Sequence, residues 1–196
     1  MVKRRRRSAA ETRAQLLKVA AKELVKNDGA LEMVSLAQKA GLSEGLAYHY
    51  FGNRAGVIAA VVDDFFDRFE EQVIDVRFDG KTWQDRERQR VSAMISFYFS
   101  DPLTPIIFSR LGSDAEVAAV EARRARRQIT LAEKNLNEAQ KAGDVSKARD
   151  PRLMGAMMLG AIRWGIMTYW QSTEPNDQEA LFEEIWAAVH ALSQAK

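Results

Sequence analysis

The stretch that most narrows what this chain can fold into is residues 33–54, MVSLAQKAGLSEGLAYHYFGNR. Leu36, Ala37 and Ala40 share one helical face, Gly41 can take the left-handed conformation that turns the chain, and Ser43 can cap a second helix. The spacing predicts two short helices about a tight turn, a helix-turn-helix, the second helix running from about residue 44 to residue 51. That helix would present Glu44, Gly45, Tyr48 and His49 outward, a polar and aromatic face suited to the major groove of DNA.

The same residues carry a family likeness. Leu36-Ala37, Ala40-Gly41-Leu42-Ser43, Gly45, Tyr48, Tyr50-Phe51 and Arg54 resemble the signature of TetR-type transcriptional regulators: Ile-Ala, then Ala-Gly-Val-Ser, then Gly-Thr-Leu-Tyr, then His or Tyr before Phe, then Lys. Beyond Arg54 the resemblance is carried by helix lengths and order alone. Glu32 stands where the family often caps the motif with Thr or Ser, Leu46 replaces a common Thr, and Ala47 a common Leu. The resemblance implies an all-α chain of about nine helices, with a basic arm and three-helix DNA-binding domain at 1–54 and a helical ligand-binding and dimerisation domain at 55–196. It also implies that Tyr48, Tyr50 and Arg54 hold backbone phosphates. Ser43, Glu44, Gly45 and His49 are then free to face bases, with Leu46 in the same DNA-facing segment. The chemistry agrees, since a Tyr hydroxyl on a rigid ring and an Arg fork are good phosphate donors, and a glycine permits close approach.

Charge is distributed as such an interface requires. Residues 1–54 hold 11 basic and 5 acidic side chains, whereas residues 55–196 hold 18 and 22, so the net +2 of the chain conceals a basic N-terminal part. Lys3, Arg4, Arg5, Arg6 and Arg7 form a basic run ahead of any periodic pattern, an arm attracted to polyanions and able to enter the minor groove. A solvated basic surface is the plainer reading of the same charges. The absence of Cys leaves no disulfide framework or thiolate site, and His49 and His190 lie far apart in sequence, so no metal centre and no cofactor is expected. The longest apolar segment, near 154–169, is broken by Arg163, so no membrane span is expected and the chain reads as cytoplasmic.

Along the chain, Ser8 and Glu11 predict a capping box opening a helix with the stripe Leu16, Leu17, Ala20, Leu24 and Val25, ended by Gly29. After Arg54, the recurrence of Ile58, Val61, Val62, Phe65, Phe69, Val73 and Val76 predicts one long helix to about Asp79-Gly80. Thr82 and Asp85 cap another, which Asp101-Pro102 stops. Ser113, Asp114 and Glu116 open a long helix closed by Gly143, whose run Arg123-Arg124-Ala125-Arg126-Arg127 reads as a solvated stretch with Glu partners. Asp150-Pro151 and Asn176 with Glu179 start the last two helices.

Three helical segments of the second part carry Met94, Phe97, Tyr98, Phe108, Trp164 and Met167. These are ordinary core residues or, as a set, the lining of a pocket for a small and mostly apolar effector, with Arg110 or Arg163 placed to fix an acidic group. The last two helices are apolar over a wide arc. The resemblance implies that they meet a twofold mate as a four-helix bundle, through Met157, Gly160, Ala161, Ile185, Val189 and Leu192, with Gly155 and Gly165 allowing close approach. The resulting expectation is a homodimeric regulator, read as a repressor, that binds a pseudo-palindromic operator and is released by its effector. A ligand-independent architectural DNA-binding protein shares the arm and motif but needs no pocket. A small helical enzyme is the third reading, yet no nucleophile, base and orienting group recur at usable spacing.

Overall fold

A computed structural model describes residues 8–111, 114–170 and 177–194. α1 (Ala9–Lys26) opens on the capping box that Ser8 and Glu11 encode: the Ser8 hydroxyl accepts from the Glu11 N–H at 3.1 Å, and the Glu11 carboxylate accepts from the Ser8 N–H at 2.7 Å. Its buried stripe includes Leu16, Leu17, Ala20 and Leu24. α2 (Met33–Ala40) has Glu32 at its N-cap with no side-chain capping bond, and it ends at Gly41 with φ of 67°. α3 (Glu44–Phe51) is capped by Ser43, whose hydroxyl accepts from the Leu46 N–H at 3.3 Å. The predicted helix-turn-helix is therefore present, turn residue and cap included.

One carboxylate lies inside this unit. Glu23 of α1 is 7% exposed and accepts from Asn27 at 3.3 Å, from Ser35 at 3.5 Å and from Lys39 of α2. The Lys39 bond holds the Glu23 carboxyl below its ordinary value near 4.5, with burial opposing. Because the folded pKa is the lower one, the stabilisation is present above the unfolded value and is lost as pH falls through the folded value. Melting of wild type and Glu23→Gln from pH 7 to pH 3 should show a constant gap down to about 4.5 that closes below it. A gap independent of pH throughout would separate Glu23 from the acid sensitivity.

α4 (Arg54–Phe69) carries the predicted stripe, with Ile58, Val61, Val62, Phe65 and Phe69 all buried and Val57 buried beside them. It does not continue to Asp79-Gly80. A π-helical turn, Glu70–Ile74, succeeds Phe69, closed by the Asp75 N–H donating to the Glu70 carbonyl at 2.8 Å, and the chain is irregular from there to Thr82. The wider turn brings Glu70 and Val73 inward together and leaves Val76 37% exposed, so the apolar period overstated the helix by several residues.

α5 (Trp83–Ser100) begins on the Thr82–Asp85 capping box, and α6 (Thr104–Ser109) comes after Asp101-Pro102. α7 (Ala115–Ala142) starts on Asp114, whose carboxylate accepts from the Glu116 and Val117 N–H groups at 3.0 and 3.3 Å, and Gly143 closes it with φ of 86°. Ser113 lies outside the described residues. α8 (Pro151–Trp170) is capped by Asp150, which accepts from the Leu153 N–H at 2.8 Å. α9 (Gln178–Gln194) starts on Asp177, accepting from Glu179 and Ala180 at 3.0 and 3.1 Å, whereas Asn176, the expected start, lies outside the described residues.

The helices pack as two units, and the division is not a single cut after residue 54. One unit joins the chain up to Phe66 with Pro102–Glu121; the other joins Asp67–Asp101 with the chain from Ala122 onward. In the first, α6 and the start of α7 complete the core around the helix-turn-helix. Ile107 and Val117 are fully buried, the Phe65 and Phe108 rings meet edge-on at 6.3 Å, and Arg110 Nε pairs with Asp28 at 2.9 Å.

In the second unit α8 and α9 run together, and α5 lies against α9. Gly165 gives Ile185 room, since a Cβ there would stand 3.1 Å from the Ile185 side chain. The basic run finds the Glu partner expected of it, but Arg124 is buried rather than solvated. It is 9% exposed, bonded to Asp67 and to Glu70 at 3.1 Å, while Arg127 holds the other Glu70 oxygen at 2.9 Å. Its neighbours Arg123, Arg126 and Arg127 are exposed as expected. The helical period aims one side chain of such a run inward, and there the buried Glu70 receives it.

Candidate functional site

The exposed side of α3 is set by what the other side must bury. Ala47 is fully buried, with Leu46 and Phe51 half-buried, and the Arg13 guanidinium lies 5.4 Å above the centre of the Phe51 ring. Ser43, Glu44, Gly45, Tyr48 and His49 are left on the open side, Tyr48 with 43% exposure. Tyr50 is half-buried, its ring edge-on to His49 at 5.5 Å. Leu46 is a partial inward anchor rather than a fully presented side chain. Arg54 is exposed at the start of α4, and its Nε donates to the Leu31 carbonyl at 2.9 Å, which fixes the guanidinium beside the α1–α2 loop. The geometry thus gathers a short exposed face of hydroxyl, carboxylate, imidazole and guanidinium around a glycine with open space above it. Lys3, Arg4, Arg5, Arg6 and Arg7 lie outside the described residues.

Two residues of this region escaped the sequence reading. Asn53 caps α4, its Oδ1 accepting from the Gly56 N–H at 2.7 Å, and a Cβ at Gly56 would stand 2.1 Å from the Phe51 carbonyl oxygen. Asn-Arg-Ala-Gly after a glycine was a legible cap signal; the close approach of two backbones was not.

The second unit contains a cavity of about 240 Å³. Met94, Trp83, Leu136, Met158 and Ile162 supply apolar lining, and a Cβ on Gly155 would meet that of Ala132 at 2.9 Å. Glu87 and Arg90 line it as an ion pair at 2.6 Å, with Asn135 donating to Glu87 at 3.1 Å and the Arg90 guanidinium 5.1 Å from the centre of the Phe78 ring. Of the seven residues expected around a pocket, Met94 lines this one. Phe97 and Tyr98 instead pack on Phe69, at 5.4 and 5.1 Å between ring centres. Phe108 and Arg110 belong to the first unit, on Phe65 and Asp28. Trp164 is 66% exposed, and neither it, Met167 nor Arg163 is part of the lining. Met158 and Ile162 define the inward stripe of α8, and Trp164, two positions beyond Ile162, falls on the opposite side. Trp83 and Gln128 line the cavity although no pattern in the sequence singles them out.

The outward stripe of α8 is apolar. Leu153 is 65% exposed and Met157 43%, with Ala161 half-buried between them and Trp164. Gly160 is half-buried with nothing near a would-be Cβ, so another helix could approach there. Ile185 and Val189, expected in a subunit interface, are 4% and 1% exposed and face inward within their own unit; Leu192 is half-buried. The 3.6-residue period commits that stripe of α9 to the same chain, and the positions beside it include Ala188 and Ala191. Among the described residues no cluster could hold a metal ion, and no helix is long and apolar enough to cross a membrane.

No family model matches the sequence, and no curated protein matches it. Solved structures do resemble this one. Bacillus subtilis FadR, a transcriptional regulator in complex with stearoyl-CoA, is 19% identical, over 93% of this chain and 98% of its own, with a TM-score of 0.72. Salmonella enterica GusR is 16% identical over 95% and 97%, with a TM-score of 0.76. A Syntrophomonas wolfei protein assigned to the TetR-family transcriptional regulators is 15% identical over 95% and 96%, with a TM-score of 0.78.

Proposed function

We propose that this chain, whose fold is that of the TetR-family transcriptional regulators, binds a pseudo-palindromic operator as a homodimer and represses from it until a small, mostly apolar molecule occupies the second unit. The observation that carries this reading is the exposed face of α3, Ser43 to His49, held out by the buried Ala47 and flanked by the anchored Arg54. Tyr48, Tyr50 and Arg54 are assigned to phosphates, and Glu44, Gly45 and His49 to base edges, where a carboxylate can accept from cytosine N4. The basic arm adds sequence-independent affinity. The cavity supports ligand control, as does the acyl-CoA bound to the Bacillus subtilis FadR structure. α4 and α7 each run unbroken from residues of one unit into residues of the other, so a shift in the second unit has a helical path toward α3. The stripe Leu153, Met157 and Trp164 is assigned to the twofold interface.

Selection from randomised DNA tests both assignments together. Wild type is expected to enrich two half-sites related by a dyad and spaced by about one helical turn or a multiple of it. Trp164→Glu should keep its helical content, sediment as a monomer and lose operator affinity by at least about 100-fold, because a charge placed in an apolar interface opposes pairing while an exposed side chain contributes little to the monomer. A Trp164→Glu protein that binds the same site as a dimer would remove this stripe from the interface.

A further inference from the structure

At the π-turn Glu70–Ile74 the apolar pattern of the sequence and the packing of the chain part company, and the turn lies against the cavity. Its last residue, Ile74, lines the cavity together with Asp75, while Val76 is 37% exposed. Its first residue, Glu70, is the fixed end: it is 5% exposed, and its carboxylate is held by Arg124 at 3.1 Å and by Arg127 at 2.9 Å. Beyond Glu70 the backbone has two arrangements open to it. In the π-turn the Glu70 carbonyl accepts from the Asp75 N–H at 2.8 Å, whereas in an α-helical turn it would accept from the Ile74 N–H. One hydrogen bond replaces another, so the side chains decide the balance. A continuous α-helix advances about 100° per residue, which puts Val76 about 700° beyond the buried Phe69, within about 20° of two full turns, and swings Ile74 about 140° away. Phe69 packs on Phe97 and Tyr98 of α5, and Phe78 lies against Arg90 of the same helix, so the stretch between them passes Met94, a cavity residue. Val76 in the α register therefore comes to the wall that Ile74 and Asp75 form in the π register. The irregular chain up to Thr82 can absorb the rotation.

We propose that residues 70–76 are a two-register switch that reads cavity occupancy: the π register, with Ile74 and Asp75 in the wall, goes with operator binding, and the α register, with Val76 in the wall, is selected by an apolar guest. The inference rests on the reading of this cavity as the effector site and specifies how its occupancy is transmitted. A guest shifts such an equilibrium only through contacts that differ between the two states. Here the wall exchanges a carboxylate for an isopropyl group, which favours an apolar guest. Occupancy then lengthens α4, the helix that begins at Arg54 beside the DNA-facing side of α3, by about two turns.

The test uses the full-length protein, which has no cysteine, with Val76→Cys as the reporter and 1-octanol as the apolar probe, its binding followed by thermal shift. Without probe the thiol should react as an exposed cysteine does; saturating probe should slow its modification at least about tenfold and weaken operator binding at least about tenfold. Deleting Glu71, an exposed residue of the turn, removes the extra residue, so a plain α-helix then leaves Ile74 about 40° from Phe69 and Val76 about 240° from it. That variant should bind operator and probe as wild type does, yet neither protect the thiol nor release the DNA. Val76→Asp, which opposes the α register alone and changes no length, should bind operator within about threefold of wild type and equally fail to release it. A thiol that stays reactive with probe bound would overturn the two registers. Release of DNA by the Glu71 deletion or by Val76→Asp, or protection of the thiol with no loss of operator affinity, would overturn their part in control. No binding of the probe would overturn the cavity as an effector site, and the inference with it. A wild-type protein that selects no operator would instead sink the DNA-binding reading, and the thiol rates alone would then decide whether the cavity wall has two registers.

Discussion

Gly56→Ala is expected to abolish operator binding while leaving the second unit folded. The added methyl would meet the Phe51 carbonyl oxygen at 2.1 Å, and that oxygen is already bonded to the Asn53 N–H at 2.8 Å. No side-chain rotation relieves a clash with pinned backbone, so the junction of α3 and α4 must open and the Asn53 cap on Gly56 is lost with it. The cost should exceed about 4 kcal/mol, and α3 loses the angle at which it is presented. Fluorescence anisotropy on a selected operator should show affinity falling by at least about 100-fold, beside circular dichroism that retains most of the helix. The same substitution at Gly45 makes the control. A Cβ there meets nothing within 4 Å, so Gly45→Ala should stabilise the fold by up to about 1 kcal/mol of helix propensity, seen as a slightly higher melting temperature, yet weaken operator binding by blocking close approach. If Gly56→Ala binds within about threefold of wild type, the junction does not set the pose of α3.

The second large effect is expected at Arg124. Its guanidinium joins Asp67 and Glu70 inside the second unit, and Glu70 is 5% exposed. Arg124→Ala leaves that carboxylate with Arg127 alone, whose side chain is 58% exposed. An incompletely paired buried charge of this kind should cost about 3 kcal/mol, which for a chain of this size is a fall of roughly 6–12 °C in Tm. Replacing both charges, Arg124→Met with Glu70→Leu, should recover most of the loss, because well-packed apolar residues substitute for a buried pair with little penalty. A double variant as unstable as the single one would assign the loss to packing of the Arg124 stem rather than to the orphaned carboxylate.

The features legible in the sequence were those written locally. Ser8 with Glu11, Gly41, Ser43, Thr82 with Asp85, and Asp150-Pro151 each act within a few residues, and each does in the structure what its chemistry implied. Features that depended on partners distant in sequence were not legible. Trp164 and Met158 sit on one apolar helix, and only the packing of α8 shows that Met158 faces the cavity while Trp164 faces out. Arg124 looked like its exposed neighbours because its partners lie more than fifty residues earlier. Val76 matched the apolar period, but the π-turn at Glu70–Ile74 shifts the phase that period assumes. The aromatics expected around a pocket pack on other aromatics instead: Phe97 and Tyr98 on Phe69, Phe108 on Phe65.

The unit bearing α3 is assembled from two stretches of chain, and this limits how it can be made and exchanged. During synthesis its first sixty-six residues emerge without Ile107, Phe108 and Val117, and at about 5–20 residues per second the segment ending at Glu121 arrives roughly 3–11 s later. Through that interval Phe65 and its neighbours expose apolar surface on the nascent chain, a period in which a chaperone could engage them. Recombination meets the same constraint. A single crossover near residue 54 or 66 would graft a headpiece onto a foreign α6 and strand Asp28 without Arg110, so a transplant that preserves the core needs two junctions, one on each side of Asp67–Asp101.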